Sequence, residues 1–271
     1  MIGQNELKAE LGLMMENNTF PKFIVLQGRK GSGKKLLCKW ISEVSNTDFY
    51  YVLPDVKVDT IRQMIDDAYT IKDKTLMVIP DADSMSLSAK NALLKVVEEP
   101  PKNITFIMTL QDINNTLDTI KSRAAVFSMN VYRPHEIELY CNQKGITDNL
   151  ELYKEFCDTP GQVDIFNACD PKAMYEYTQT VIDNIAEVQP ANAFKSSSKL
   201  ALKADSAGYD LGLFWKVFIG ECREQYLKQH NAKYIEGISI TSRALKNLNR
   251  TSVNKQHLYD GWVFDIRSAW Y

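Results

Sequence analysis

The sequence predicts a parallel α/β sheet with helices on both faces, followed by an all-helical remainder. Three observations carry this. Short, continuously apolar segments alternate with amphipathic ones as far as residue 129. A glycine-rich turn separates the first apolar segment from the helix that follows it. After about residue 133 no further strand pattern occurs.

Each element has its own signal. Leu7, Leu11 and Met14 give residues 4–16 a helical period. Pro21 precedes an apolar strand at 23–27, and the turn GRKGSG (28–33) leads into a helix at 34–44. Further strands are expected at 48–53, 75–80, 104–110 and 124–129. Helices are expected between them at 58–71 and 86–99, the second stopped by Pro100 and Pro101. In that helix Ala89, Ala92, Leu93, Val96 and Val97 form one apolar stripe. Residues 133–190 suggest several short helices, and 191–271 a further helical set behind the interruption Ser196–Ser198.

Composition excludes several classes. The 271 residues are 45% hydrophobic and 24% charged, which is ordinary for a globular chain. No run approaches the roughly 18 apolar residues of a membrane span. The opening residues lack a basic stretch followed by an apolar one, so no secretory signal is expected. Cys38, Cys141, Cys157, Cys169 and Cys222 are odd in number and contain no C-x-x-C pair. A disulfide framework and a zinc site are therefore not expected, and a reducing cytoplasm fits. His135, His230 and His257 show no metal spacing. Net charge runs from 0 over residues 1–129 to −7 over 130–190 and +5 over 191–271. Such blocks suggest separate modules.

Gly28-Arg29-Lys30-Gly31-Ser32-Gly33-Lys34-Lys35 has the G-x-x-x-x-G-K frame of a phosphate loop. Glycines let backbone N–H groups turn toward phosphate oxygens at a helix N-terminus, and Lys34 would reach the β and γ phosphates. The next position should offer a Ser or Thr hydroxyl to Mg²⁺, but Lys35 stands there. An ammonium cannot ligate a metal, although it can partly replace the metal's charge. The acidic strand is displaced as well. Pro80 occupies the position of the metal-linked Asp, with Asp81 and Asp83 beyond it. Both acids are expected to cap the following helix, and Asp81 retains some capacity to meet a water.

With Asn91-Ala92-Leu93-Leu94-Lys95, Glu98-Glu99-Pro100-Pro101 and Ser122-Arg123-Ala124, residues 79–124 resemble the clamp-loader branch of the AAA+ ATPases. Asn91-Ala92-Leu93-Leu94-Lys95 with Glu98-Glu99-Pro100-Pro101 resembles the family's NALLKxLEEPP helix. Ser122-Arg123-Ala124 resembles its Ser-Arg-Cys motif. Ile2-Gly3-Gln4 resembles the opening segment beside the adenine.

The resemblance implies a P-loop AAA+ domain (1–130), a small helical lid (131–190) and a helical collar (191–271) that joins subunits into a ring. It implies other clamp-loader subunits, a sliding clamp and primed DNA as partners. It also implies that Arg123 reaches a neighbouring subunit's ATP site. Lys35, Pro80 and Asp164 all depart from positions needed for nucleotide chemistry, so little or no ATP hydrolysis is expected, with ATP or ADP bound weakly if at all. Asp164 falls near the place of the lid arginine that senses γ-phosphate in active members. The Cys₄ zinc module usual in the family is absent. Two alternatives are an active AAA+ ATPase with unusual metal ligation and a direct DNA-binding module using the basic C-terminal region. Glu98 and Glu99 are expected at a solvated helix end. Trp215, Trp262, Trp270, Phe214, Phe218 and Phe264 are expected in a helical core or subunit interface.

Overall fold

The computed structural model describes residues 2–187, 210–248 and 254–270. The Ser196–Ser198 interruption lies outside them. Helix α1 (Asn5–Glu16) precedes β1 (Phe23–Gln27), α2 (Lys34–Val44), β2 (Phe49–Val52), α3 (Val58–Thr70) and β3 (Thr75–Ile79). A single 3₁₀ turn (Ala82–Ser84), α4 (Leu87–Ala92) and α5 (Leu94–Glu98) lead to β4 (Ile104–Leu110). Then come α6 (Asp118–Lys121) and β5 (Ala125–Ser128). The five strands form one parallel sheet in the order β2-β3-β4-β1-β5.

Alternation along the strands sorts the two faces. Phe23, Val25, Met77, Ile79, Phe106 and Met108 meet the apolar stripes of α3, α4 and α5 on one side. Ile24, Leu26, Leu76, Val78 and Ile107 meet Leu7 and Leu11 of α1 and Leu37, Cys38 and Ile41 of α2 on the other. A strand buried on both faces needs mostly apolar side chains, which is why β1, β3 and β4 show as largely apolar runs with Gln27, Thr75, Thr105 and Thr109 as their polar members. Edge strand β2 differs: Phe49, Tyr50 and Tyr51 are exposed.

One expectation needs correction. Residues 86–99 are two helices rather than one. Ser86 caps the first, accepting from Ala89 N at 3.2 Å. The break falls at Leu93, whose N–H bonds three residues back to Lys90 O. This 3₁₀-type tightening interrupts the helix without leaving the right-handed region. The stripe survives it, since Ala89, Leu93, Val96 and Val97 are all buried.

Contacts group residues up to Tyr132, together with Thr159–Gly161, into a first compact unit; residues 133–158 and those from Gln162 on form a second. The second unit contains α7 (Pro134–Gln143), α8 (Leu150–Phe156), α9 (Pro160–Ala168) beyond its first turn, α10 (Pro171–Glu187), α11 (Leu211–Gln229), α12 (Lys233–Leu248) and α13 (Lys255–Trp270). Its core is aromatic. Trp262 packs edge-on against Phe214 and Phe218, with centroids 5.8 and 4.9 Å away, and its Nε1 donates to Thr241 Oγ1 at 2.9 Å. Trp215, Phe214, Phe218 and Trp262 are buried, and Trp270 is partly so. Phe264 departs from the core expectation and is 69% exposed. The buried Glu221 carboxylate accepts hydrogen bonds from Tyr175 and Gln179. Lys216 Nζ pairs with Asp158 at 3.0 Å.

Candidate functional site

The glycine loop lies where the C-terminal ends of β1, β4 and β5 converge. Gly28 N donates to Leu110 O at 3.0 Å, and Met129 N donates to Gln27 O at 2.8 Å. A Cβ at Gly28 would meet Ser32 Oγ at 2.9 Å and Met129 Cβ at 3.0 Å, so a side chain there would push on both neighbours. Gly31 and Gly33 have φ of +79° and +89°, values that L side chains rarely adopt. The loop therefore has the backbone that the motif predicts, opening into α2 at Lys34.

Its polar groups, however, are turned on one another. Lys34 is buried, and its Nζ donates to Gly28 O at 2.5 Å and Arg29 O at 3.0 Å. Burial lowers its pKa from the ordinary value, while the fields of Asp81 and Asp83 pull in the other direction. Ser32 is also buried. Its Oγ faces Met129 Sδ at 3.5 Å, and its carbonyl accepts from Tyr132 Oη at 2.9 Å. Lys35 is exposed. The Thr159-Pro160-Gly161 segment closes over the loop. Gly161 N donates to Gly31 O at 3.0 Å, and Thr159 Oγ1 donates to Lys30 O at 3.2 Å. A Cβ on Gly161 would stand 2.5 Å from Gly31 Cα, so the two glycines allow the backbones to touch.

The acidic strand end corrects a second expectation, because neither acid caps a helix. Pro80 is buried, and Asp81 sits exposed in the left-handed region at φ +48°. Its N–H donates to the hydroxyl of buried Thr109 at 3.1 Å. Asp83 accepts from Gln111 N at 2.7 Å and Asn115 Nδ2 at 2.8 Å, so its carboxylate ties down the turn after β4. Ile2 and Gly3 precede a two-way clamp. Gln4 Nε2 donates to Asn130 O at 2.7 Å, and Asn130 N donates back to Gln4 Oε1 at 2.9 Å.

A nucleotide's phosphates suit the loop's glycine backbone, but a hydrolytic Mg²⁺ does not suit the side chains around it. Ser32 faces sulfur, an ammonium replaces the metal-binding hydroxyl, and Asp83 is engaged by the β4 turn. Among the described residues no group of three or more His, Cys, Asp and Glu side chains could hold a metal ion. Among them, too, no helix is long and apolar enough to cross a membrane.

Arg123 follows α6, in the same unit but outside the loop. Its Nε lies 3.3 Å from Glu98 Oε1 at the end of α5, and its Nη1 donates to Thr119 O at 3.3 Å. Both side chains of the pair are about half exposed. Glu98 is thus paired and not merely solvated. In the second unit, Asp164 accepts from Tyr140 Oη at 2.9 Å and pairs with Lys144 at 3.5 Å. Burial, then the bond to Asp164, raises the Tyr140 pKa.

The family model for the DNA polymerase III delta subunit matches residues 36–132. That span begins after the glycine loop and includes Asp81, the Asn91–Lys95 segment and Arg123. The chain is similar to delta-prime and gamma subunits of DNA polymerase III. The chain is 31% identical over 109 residues to the gamma subunit of DNA polymerase III from Buchnera aphidicola subsp. Schizaphis graminum, covering 38% of this chain and 30% of that one. It is 27% identical over 157 residues to the delta-prime subunit from Haemophilus influenzae, covering 54% of this chain and 48% of that one. The matches thus span about a third to a half of these relatives' length. Among solved structures, a gamma subunit-related protein of DNA polymerase III from Thermotoga maritima superposes with a TM-score of 0.54, covering 97% of this chain and 99% of that one at 14% identity. A RuvB variant from the same organism gives 0.51 at 15% identity, covering 84% and 88%. At this identity the likeness is one of fold, and the fold is that of a P-loop AAA+ protein with an all-helical part.

Thr159, Gly161, Thr109 and Glu98 are the site residues to which sequence reasoning gave no role in the site. The Pro-Gly pair at a helix start was the one visible hint, since it marks a backbone made for close approach.

Proposed function

We propose that this chain is a delta-prime-like subunit of a clamp loader in a DNA polymerase III-type replication complex. It hydrolyses little or no ATP and places Arg123 in a neighbouring subunit's ATP site. Residues 131–190 act as its lid and 191–271 as its collar, the part that joins it to other loader subunits in a ring. The ring opens a sliding clamp and sets it on primed DNA.

One observation carries the passive half of this reading. Lys34, the side chain that would reach the phosphates, is spent on its own loop's carbonyls. The loop around it supplies no hydroxyl for magnesium. An arginine supplied in trans asks nothing of that loop. It requires an exposed guanidinium near the rim of the domain, able to neutralise charge developing on a transferring phosphoryl group. Arg123 is half exposed and meets that requirement.

The test has two arms. The purified chain alone should show no magnesium-dependent ATPase, and millimolar ATP with Mg²⁺ should leave its melting temperature nearly unchanged. In the assembled complex, Arg123→Ala should lower ATPase without preventing assembly. Robust turnover by the isolated chain would remove the passive reading and favour an active ATPase using Lys34 and Asp81.

A further inference from the structure

The corner that carries Arg123 is assembled from the end of α5 and the end of α6, which lie on either side of β4 in the chain. A guanidinium has five N–H donors in a fixed fork. In Arg123 the Nε lies at ion-pair distance from Glu98 Oε1, 3.3 Å away. Nη1 is directed at Thr119 O and Ser122 Oγ, 3.3 and 3.5 Å away. Among the described residues Nη2 has no partner, so the fork is held by one side and one end while the rest of it stays available.

We propose that Glu98 is a positioning residue: it anchors Arg123 through Nε so that the Nη2 end is presented to an anion outside the chain. The proposal rests on the reading that Arg123 serves a neighbouring subunit's triphosphate, and it names the group that makes that service efficient. A free arginine on the surface samples many rotamers. Each of them must be surrendered when the guanidinium meets a phosphate. An ion-pair contact and the Nη1 bonds made beforehand remove part of that loss, and small misplacements of a transition-state group cost up to about 100-fold in rate. An exposed pair of this kind contributes next to nothing to folding. Its loss should therefore show in the reaction and not in stability.

The experiment uses the assembled ring. Relative to the wild-type ring, Glu98→Ala should lower kcat for ATP about five- to tenfold with KM changed less than about twofold, as expected for a group acting in the transition state. Glu98→Gln keeps an acceptor at the same reach and should restore most of the rate. Glu98→Ala combined with Arg123→Ala should be no slower than Arg123→Ala alone, because Glu98 acts through Arg123. The melting temperature of the isolated Glu98→Ala chain should match the wild type. A Glu98→Ala ring that turns over normally while Arg123→Ala is slow overturns this proposal and leaves the arginine reading standing. Failure of the ring to assemble with Glu98→Ala, or a further loss in the double variant, also overturns it. An Arg123→Ala ring with unchanged turnover removes the reading itself, and the positioning role with it.

Discussion

The glycine loop and the Arg123 corner belong to one unit and point their charge in opposite directions. At the loop the cation is inside: Lys34 is 8% exposed and bound to two carbonyls, under a backbone clasp from Thr159–Gly161. At the corner the cation is outside, with Arg123 44% exposed and held only along one side. A domain that ran its own phosphate chemistry would need the first cation free. A domain that served another's would need the second. The contrast teaches that the shape of a glycine loop does not by itself say where its charge is directed. The useful question about such a loop is where its lysine points.

The clasp is the part of this contrast easiest to break. Gly161→Ala puts a Cβ 2.5 Å from Gly31 Cα and 3.2 Å from Gly31 O, both backbone atoms without freedom to swing away. Overpacking of this kind costs about 1–3 kcal/mol. At about 2–4 °C per kcal/mol, the melting temperature should fall by roughly 2–12 °C. Gly12→Ala is the control. It lies within α1 with nothing inside 4 Å of the added Cβ, and should stabilise by about 0.5–1 kcal/mol. Thermal unfolding of the two variants side by side decides the matter. If Gly161→Ala behaves like Gly12→Ala, the clasp does not exist in solution.

The next effect concerns Lys34 itself. Lys34→Met keeps the apolar stem but takes the ammonium donor from Gly28 O, while Arg29 O keeps Ser32 N at 3.2 Å, at a cost of about 1–3 kcal/mol. Its pH dependence has a definite sign. Burial holds the folded pKa below the ordinary 10.5, so over that interval the unfolded chain binds more protons than the folded one. The wild type should therefore gain stability relative to Lys34→Met as pH rises through the folded pKa toward 10.5. Urea titrations of both proteins across alkaline pH measure this. A difference that stays flat, or falls, would mean that the amine is not buried.

Much of the sheet was legible beforehand because its causes are local. The strands at 23–27 and 104–110 and the helix at 34–44 fall where apolar runs and helical spacing place them. The glycine loop was legible for the same reason, since its φ values follow from its own glycines. What was not legible depends on partners distant in sequence. Asp83 resembles a helix cap until Gln111 and Asn115, brought beside it by the parallel pairing of β3 and β4, take its carboxylate. The clasp joins Gly31 to a glycine far along the chain, and no periodicity reports such a contact. The 3₁₀ step at Leu93 is invisible as well, because the apolar stripe continues across it.

A smaller effect probes the floor of the loop. Cys38 lies buried one turn beyond Lys34, and desolvation pushes its thiol up to about 12. Cys157 and Cys222 are pushed equally far, also by burial, and Cys141 and Cys169 are raised. All five thiols are buried. A thiol reagent at pH 8 should therefore count none of them in the folded protein and all five in denaturant, since only the exposed thiolate reacts. The same count on Gly161→Ala sharpens the comparison. A reactive Cys38 there would show that the clasp also seals the loop's underside, and silence would confine its effect to the rim.

The smallest expected effect is on the other side of the contrast. Arg123→Ala removes an ion pair whose partners are both about half exposed, together with exposed bonds to Thr119 O and Ser122 Oγ. Exposed pairs contribute about 0–1 kcal/mol. What remains after the substitution is Glu98 at the C-terminal end of α5, where a carboxylate is mildly unfavourable and is screened by water. Stability should change by less than about 0.5 kcal/mol, within the range of ordinary surface substitutions. Chemical denaturation can resolve this against the Lys34→Met result, which is expected to be several times larger. If Arg123→Ala instead costs as much as Lys34→Met, the guanidinium is holding its own domain together, and the two regions no longer differ in the way their exposure suggests.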